Sequence, residues 1–288
     1  MKISFTDFWG GNFPFMHHNN MLLDIFKQID NEIQLVPLSD DTDILIYSCF
    51  GDAQHHRRAN RKKTKKIFYT GENKRPDFDE CDFSLSFDFE SYSGKNIRLP
   101  LWYMYIDWFN KGGYGNPKYI IPPNQIDDND FMKREKNKFC SLVYSHSTPQ
   151  RTEFFDKLKH YKSADGFGLP FGSHTWGEDV KYNIISNYKF NMCFENTVQS
   201  GYHTEKLLHA KTAGCIPLYW GADTISEDFN KKCFINLLDF DSDIDKFIEY
   251  IKEVDNDNNL YNEILNEPLF TSPPHINNII DDIKKIIL

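Results

Sequence analysis

The densest run of chemistry-bearing residues lies between positions 189 and 221. An apolar strand pattern, Phe190-Asn191-Met192-Cys193-Phe194, ends on Glu195-Asn196. A polar loop follows, and Gly201-Tyr202-His203-Thr204-Glu205-Lys206 opens a helix that stops at Gly214. A second strand then runs into Tyr219-Trp220-Gly221. Strand, loop and helix start together make a docking place for an anion, because the first helical N–H groups lack partners. Thr204 fits the N-cap of that helix. Lys206 falls in its first turn, where the dipole favours a carboxylate, so a cation there suits an anion docked beside it. Arg151 repeats the pattern: Thr148-Pro149 supplies a cap and a proline at the first helical position, and Arg151 lies in the opening turn. A guanidinium fork and an ammonium at two helix starts would clamp one diphosphate. One solvated lysine costs a helix little, so neither cation argues for a site alone. Glu195, at its strand end, reads as a structural carboxylate rather than a member of the site.

The elements that must hold these residues are short apolar runs alternating with helical patterns, which implies α/β units with parallel sheets. Strands are expected at 3–5, 34–36, 43–47, 66–69 and 83–87, with an amphipathic helix at 21–29. After a Gly-, Pro- and Asp-rich stretch (112–117, 122–124 and 127–130), the pattern restarts. Strand 139–144, helix 149–160, strand 190–194, helix 205–213 and strand 216–219 follow, then late helices at 245–254 and 278–287. Two domains are expected, 1–130 and 131–288. Two such Rossmann-like domains facing each other would leave a cleft at their carboxyl strand ends, where nucleotides bind. No G-x-G-x-x-G or G-x-x-x-x-G-K-[ST] follows a strand, which disfavours dinucleotide dehydrogenases and P-loop kinases.

Composition narrows the class further. The chain has 288 residues, 40% of them hydrophobic and 16% aromatic, enough for a sizeable core. A formal net charge of −9 offers no general attraction for nucleic acid or anionic lipid. Residues 55–66, rich in His, Arg and Lys, run against that charge and read as a solvated basic helix leading into a strand; the sharper alternative is a peripheral membrane or polyanion patch. The six cysteines form no C-x-x-C pair; Cys49, Cys140, Cys193 and Cys215 sit in apolar runs as small buried hydrophobes, in keeping with a reducing compartment. Neither a signal-peptide apolar region nor a membrane-length apolar run is present, so the expected location is cytoplasmic. The His17-His18 and His55-His56 pairs lack a carboxylate partner pattern and read as surface, and the acidic stretches 40–43 and 239–241 read as loop tips rather than metal sites.

The order F-E-N, G-Y-x-T-E-K, I-P-x-Y-W-G resembles the donor-binding signature of the α1,3/4-fucosyltransferases, the Lewis-type family. Thr6-Asp7-Phe8-Trp9, Tyr47-Ser48-Cys49-Phe50-Gly51, Ile67-Phe68-Tyr69-Thr70-Gly71-Glu72-Asn73 and Arg98-Leu99-Pro100-Leu101 extend the resemblance to about residues 3–270. It implies a GT-B architecture with an acceptor-binding first domain and a GDP-fucose-binding second domain. It further implies inverting transfer to an oligosaccharide hydroxyl, the 3-OH of GlcNAc or Glc, without an essential metal or other cofactor. By the same resemblance Glu72 is the general base and Arg151 and Lys206 hold the diphosphate. Asn196, Tyr202 and Glu205 line the nucleotide-sugar pocket, with Val143 and Ser145 near the nucleoside. His203 departs from the pattern, standing where an aliphatic residue is usual. The C-terminal heptads and basic tail of some bacterial members are missing, so membrane contact is expected to be peripheral at most, through 55–66. A GT-B transferase using another nucleotide-sugar, or a non-catalytic carbohydrate-binding protein on that scaffold, are the alternatives.

Overall fold

The computed structural model describes residues 1–9, 20–50, 54–60, 62–112, 119–173 and 178–288. His17-His18 and most of the glycine-rich stretch 112–117 lie outside them. The chain divides into two compact units, one made of Met1–Met104 and His275–Leu288, the other of most residues from 105 to 274.

The first unit is built on a six-stranded parallel sheet. Its strands are β1 (Lys2–Thr6), β2 (Gln34–Leu35), β3 (Ile44–Tyr47), β4 (Lys65–Tyr69), β5 (Phe83–Ser86) and β6 (Asn96–Arg98), in the order β2-β1-β3-β4-β5-β6. β3 is buried throughout, as expected of a parallel strand covered on both faces. Helix α1 (Met21–Ile29) starts where Asn20 Oδ1 accepts from Leu23 N at 2.7 Å, and it buries Met21, Leu22, Leu23, Ile25 and Phe26. The basic stretch is not the solvated helix that its charge suggests. It forms a single 3₁₀ turn, His55–Arg58, and His56 is buried rather than on the surface. The imidazole lies flat on Tyr47 (4.2 Å between ring centres) and bridges Asp7 (2.6 Å) and Glu80 (2.9 Å), so two carboxylates draw it inward.

The second unit carries a five-stranded parallel sheet: β7 (Lys138–Val143), β8 (Ala164–Phe167), β9 (Tyr188–Phe194), β10 (Ile216–Trp220) and β11 (Ile235–Asn236). The order is β11-β10-β9-β7-β8. Helices α2 (Pro149–Leu158), α3 (Glu178–Ile185), α4 (Lys206–Thr212), α5 (Ile244–Asn256) and α6 (Asn258–Asn266) accompany it. Phe154, Phe190, Leu218, Phe247 and Ile251, all fully buried, centre its core. Gly214 follows α4 with φ +75, the left-handed residue that the sequence placed there to end the helix.

The last helix, α7 (Asn277–Ile287), corrects the expected division at 130. It belongs to the first unit, packing against α1 and β6, and Lys65 Nζ donates to Ile286 O at 2.6 Å at its carboxyl end. The Asp-rich stretch at 127–130 is interior to the second unit: Asp127 Oδ1 accepts from Leu269 N at 3.0 Å.

Candidate active site

In the second unit, β7, β9 and β10 are adjacent, so their carboxyl ends lie side by side. The end of β9 carries Glu195 and Asn196, and both of the cations singled out in the sequence converge there. Arg151 lies in the first turn of α2, whose N-cap is Thr148 and whose first residue is Pro149, as the sequence indicates. Its guanidinium is 1% exposed. Nη2 donates to Phe194 O at 2.5 Å and to Asn196 Oδ1 at 2.9 Å, and Nη1 donates to His146 O at 2.7 Å. The fork expected to grip an anion is therefore largely used to join the ends of β7 and β9. Nε, buried without a partner among the described residues, and one hydrogen of Nη1 remain. Burial pulls the Arg151 pKa below its ordinary value against the attraction of Glu195, but a guanidinium stays charged.

Lys206 lies in the first turn of α4, as expected, and is its first residue, but Thr204 is not its cap. The cap position is Glu205, with no side-chain capping bond. Thr204 turns to Glu195 instead: its N–H donates to Glu195 Oε1 at 2.9 Å, and its hydroxyl lies 2.8 and 2.9 Å from the two carboxylate oxygens. Lys206 Nζ donates to Glu195 Oε2 at 2.7 Å and to Thr204 Oγ1 at 2.9 Å. The anion that excuses a cation at this helix start is thus part of the chain. Burial disfavours the ammonium, yet Glu195 and Glu205 outweigh it and raise the Lys206 pKa above its usual value.

Glu205 is pulled both ways. Burial would raise its pKa, but the Lys206 and Lys181 ammonium groups bring it down to about 2. Lys181, on α3, stands 3.7 Å from Glu205 Oε1 and 2.7 Å from His209 Nδ1. His209 is held well below its usual pKa by burial and by Lys181, so it stays neutral and accepts from the ammonium. Tyr202 is buried and lies close enough to Arg151 to favour its charge. Val143 ends β7 and Ser145 stands exposed one residue past Tyr144, whose ring lies 5.1 Å beneath the Arg151 guanidinium. His203 is enclosed, with Nδ1 2.6 Å from Asp228 and Nε2 3.1 Å from Thr224 Oγ1. A polar tie thus replaces the aliphatic contact expected at that position.

Glu72 belongs to the first unit and is not part of this cluster. It follows β4 at the carboxyl edge of that sheet, where Thr70 Oγ1 accepts its N–H at 3.1 Å and also contacts Cys49 Sγ at 3.1 Å. Gly71 gives the turn its room, since a Cβ there would lie 2.5 Å from Leu101 Cδ1. The half-buried Glu72 carboxylate has no hydrogen bond or ion pair among the described residues.

Sequence reasoning missed three residues, Glu195, Lys181 and His209. Glu195 had a signal: a carboxylate closing a largely apolar strand cannot be buried without a cation, and Lys206 is close in sequence. Lys181 sits in a helix that the sequence pattern does not mark. Among the described residues no group of three His, Cys, Asp or Glu could hold a metal, and no helix is long and apolar enough to cross a membrane.

Parallel α/β sheets with polar residues gathered at their carboxyl ends define a nucleotide-binding class of fold. The Alpha-(1,3)-fucosyltransferase FucT N-terminal domain matches residues 3–105, and the Glycosyltransferase family 10 (fucosyltransferase) C-terminal domain matches residues 133–266. The chain is 30% identical over 298 aligned positions to Alpha-(1,3)-fucosyltransferase FucT of Helicobacter pylori, covering 94% of this chain and 61% of that protein. It is 30% identical over 135 positions to 4-galactosyl-N-acetylglucosaminide 3-alpha-L-fucosyltransferase 9 of Mus musculus, covering 46% of this chain and 37% of that one. A crystal structure of alpha1,3-fucosyltransferase with GDP-fucose superposes with a TM-score of 0.70 at 27% identity, covering 99% of this chain and 90% of the other. This chain belongs to the glycosyltransferase family 10 fucosyltransferases.

Proposed function

We propose that the chain transfers L-fucose from GDP-fucose to the 3-hydroxyl of GlcNAc or Glc in an oligosaccharide, with inversion at the anomeric carbon. The observation that carries this reading is the convergence of Arg151, Lys206, Glu205 and Asn196 on one strand end, in the half matched by the family's C-terminal domain. Solved relatives crystallised with GDP-fucose and with GDP support a nucleotide-sugar donor. The second unit takes the donor and the first takes the acceptor.

In this reading the acceptor hydroxyl gives its proton to Glu72 while its oxygen attacks the fucose anomeric carbon. The bond from that carbon to the β-phosphate oxygen breaks, and its electron pair leaves with GDP. Of the three Lys206 ammonium hydrogens two are engaged, by Glu195 and Thr204; the third meets the diphosphate, together with the unused Arg151 donors. Their attraction grows as charge builds on the leaving group, and such differential binding lowers the barrier. Glu205, ionised at neutral pH, can only accept hydrogen bonds and so suits sugar hydroxyls. Positive side chains do what a divalent ion would otherwise do, and no metal is required.

A glycan acceptor array with GDP-fucose, followed by linkage analysis, tests the reading. GDP release with fucose on a 3-hydroxyl is expected. Thermal stabilisation by another nucleotide-sugar and none by GDP-fucose would overturn the donor. Nucleotide and glycan binding without turnover on any acceptor would leave a carbohydrate-binding protein.

A further inference from the structure

Glu195 is 1% exposed and closes β9. Its backbone is pinned, with N–H donating to Trp220 O of the neighbouring strand at 2.8 Å. Its side chain is confined from behind, because Gly221 leaves no room for a Cβ, which would lie 2.9 Å from Glu195 Cγ. Both carboxylate oxygens are occupied, and among the described residues the side-chain donors to them are Thr204 and Lys206. A buried carboxylate fixed at backbone, stem and head is a rigid reference point. Lys206 is the opposite, a flexible four-carbon chain with a rotating ammonium. Two of its three hydrogens are directed by Glu195 and by the Thr204 hydroxyl that Glu195 itself holds. Fixing two directions of a tetrahedral ammonium fixes the third. Lys206 retains 18% of its side-chain exposure while Glu195 retains 1%, so the cation faces outward and its partner does not.

We propose that Glu195 is a positioning residue: acting through Lys206 and Thr204, it aims the free N–H of the ammonium at the leaving diphosphate. This rests on the reading of Lys206 as a diphosphate contact. Glu195 need not touch the donor. Its part is to spare the ammonium the search for its orientation as charge develops, so its loss should fall on the chemical step more than on donor binding.

The test is a double-mutant cycle of Glu195→Gln and Lys206→Met, measuring GDP affinity, kcat, the GDP-fucose KM and melting temperature. Gln keeps the volume and can still accept from Thr204 N–H, but it holds no charge opposite the ammonium. Glu195→Gln is expected to lower kcat about 10- to 100-fold, the scale of a misplaced catalytic contact, with KM changed by less than about threefold. In the Lys206→Met background the same substitution should add almost nothing. A full, additive loss in that background would mean that Glu195 acts through stability alone and overturns the proposal. Tighter GDP binding with unchanged kcat in Glu195→Gln would overturn it too, making Glu195 a competitor of the diphosphate. If Lys206→Met alone left GDP affinity and turnover intact, the reading of Lys206 would fail first. Thr204→Val, nearly isosteric, serves if the Gln variant does not fold; it removes only the shared hydroxyl and should lower kcat in the wild-type background but not beside Lys206→Met.

Discussion

Glu72 has the surroundings that general-base work asks of a carboxylate. Its backbone is fixed by Thr70, while its oxygens are left without partners among the described residues. A carboxylate retained to hold a turn would spend those oxygens on nearby N–H groups; here the hydroxyl of Thr70 does that task. Glu72→Gln should therefore keep the melting temperature and GDP-fucose affinity close to wild type while turnover falls about 10²- to 10⁴-fold, the usual cost of removing a general base. That loss corresponds to about 3–5 kcal/mol of barrier. Calorimetry and steady-state kinetics on one preparation check it, and a Gln variant with near-normal turnover would remove Glu72 from the mechanism. At this scale the sequence is a partial guide. Lys206 and Arg151 are visible as cations at helix starts, but which anion answers each depends on three-dimensional neighbours. Glu195 and the Phe194 carbonyl take shares that a linear reading gives to the ligand.

Among elements, the end of β1 shows how one residue can set the position of a distant segment. Asp7 has φ 57, a left-handed conformation that Asp and Asn tolerate better than other side chains. From there its carboxylate accepts from His55 N and His56 N, both at 3.0 Å, and meets His56 Nδ1 at 2.6 Å. Burial would raise the Asp7 pKa, but the His56 bonds prevail and hold it below the usual value. Glu80, on the far side of the ring, is lowered by His56 and Arg57. A carboxylate whose folded pKa is depressed adds stability above its unfolded pKa and loses it as pH falls through the folded one. The contribution should be intact at neutral pH and disappear below about pH 4. Asp7→Asn keeps the backbone conformation, so it should flatten the acid limb of denaturant midpoint against pH between pH 5 and 3; an unchanged acid limb would show that the bridge carries no linkage. The meeting of α4 with β9 leads to a second outcome. On the proposal that Lys206 and Arg151 meet the charge of the leaving group, activity should survive EDTA; complete loss restored only by a divalent ion would give that task to a metal. Strong elements such as α1, β9 and β10 were legible from periodicity. β8 was not, because Ala164-Asp165-Gly166-Phe167 has no strand-forming pattern and exists by pairing with β7. Helix α6 was hidden in an Asn/Asp-rich run that resembles a loop. Asp257 both ends α5 and caps α6, its carboxylate accepting from Asn259 N and Leu260 N.

On the scale of the whole molecule, the division of the chain was the least legible feature, for a physical reason. Gly, Pro and Asp mark where the backbone turns but not which core the next segment joins, so the stretch around 112–130 looked like the border. The final helix likewise follows the second half directly in the chain. What decides its allegiance is a match of surfaces far apart in sequence: α7 buries Ile279 and Ile283 where α1 and β6 offer a face, and Lys65 takes the carbonyl of Ile286. Ile283 is fully buried, so Ile283→Ala should cost about 2–5 kcal/mol, the range for removing a large aliphatic side chain from a core. The cost should appear in the first unit although the residue lies at the far end of the chain. Hydrogen exchange resolved along the sequence would show it: faster exchange in α1 and β6, with β7, β9 and β10 little changed. Ile264→Ala, on α6 within the second core, is the matched control and should give the reverse pattern. If Ile283→Ala instead loosened β7 to β10, α7 would belong with the second half after all, as its position in the sequence suggests.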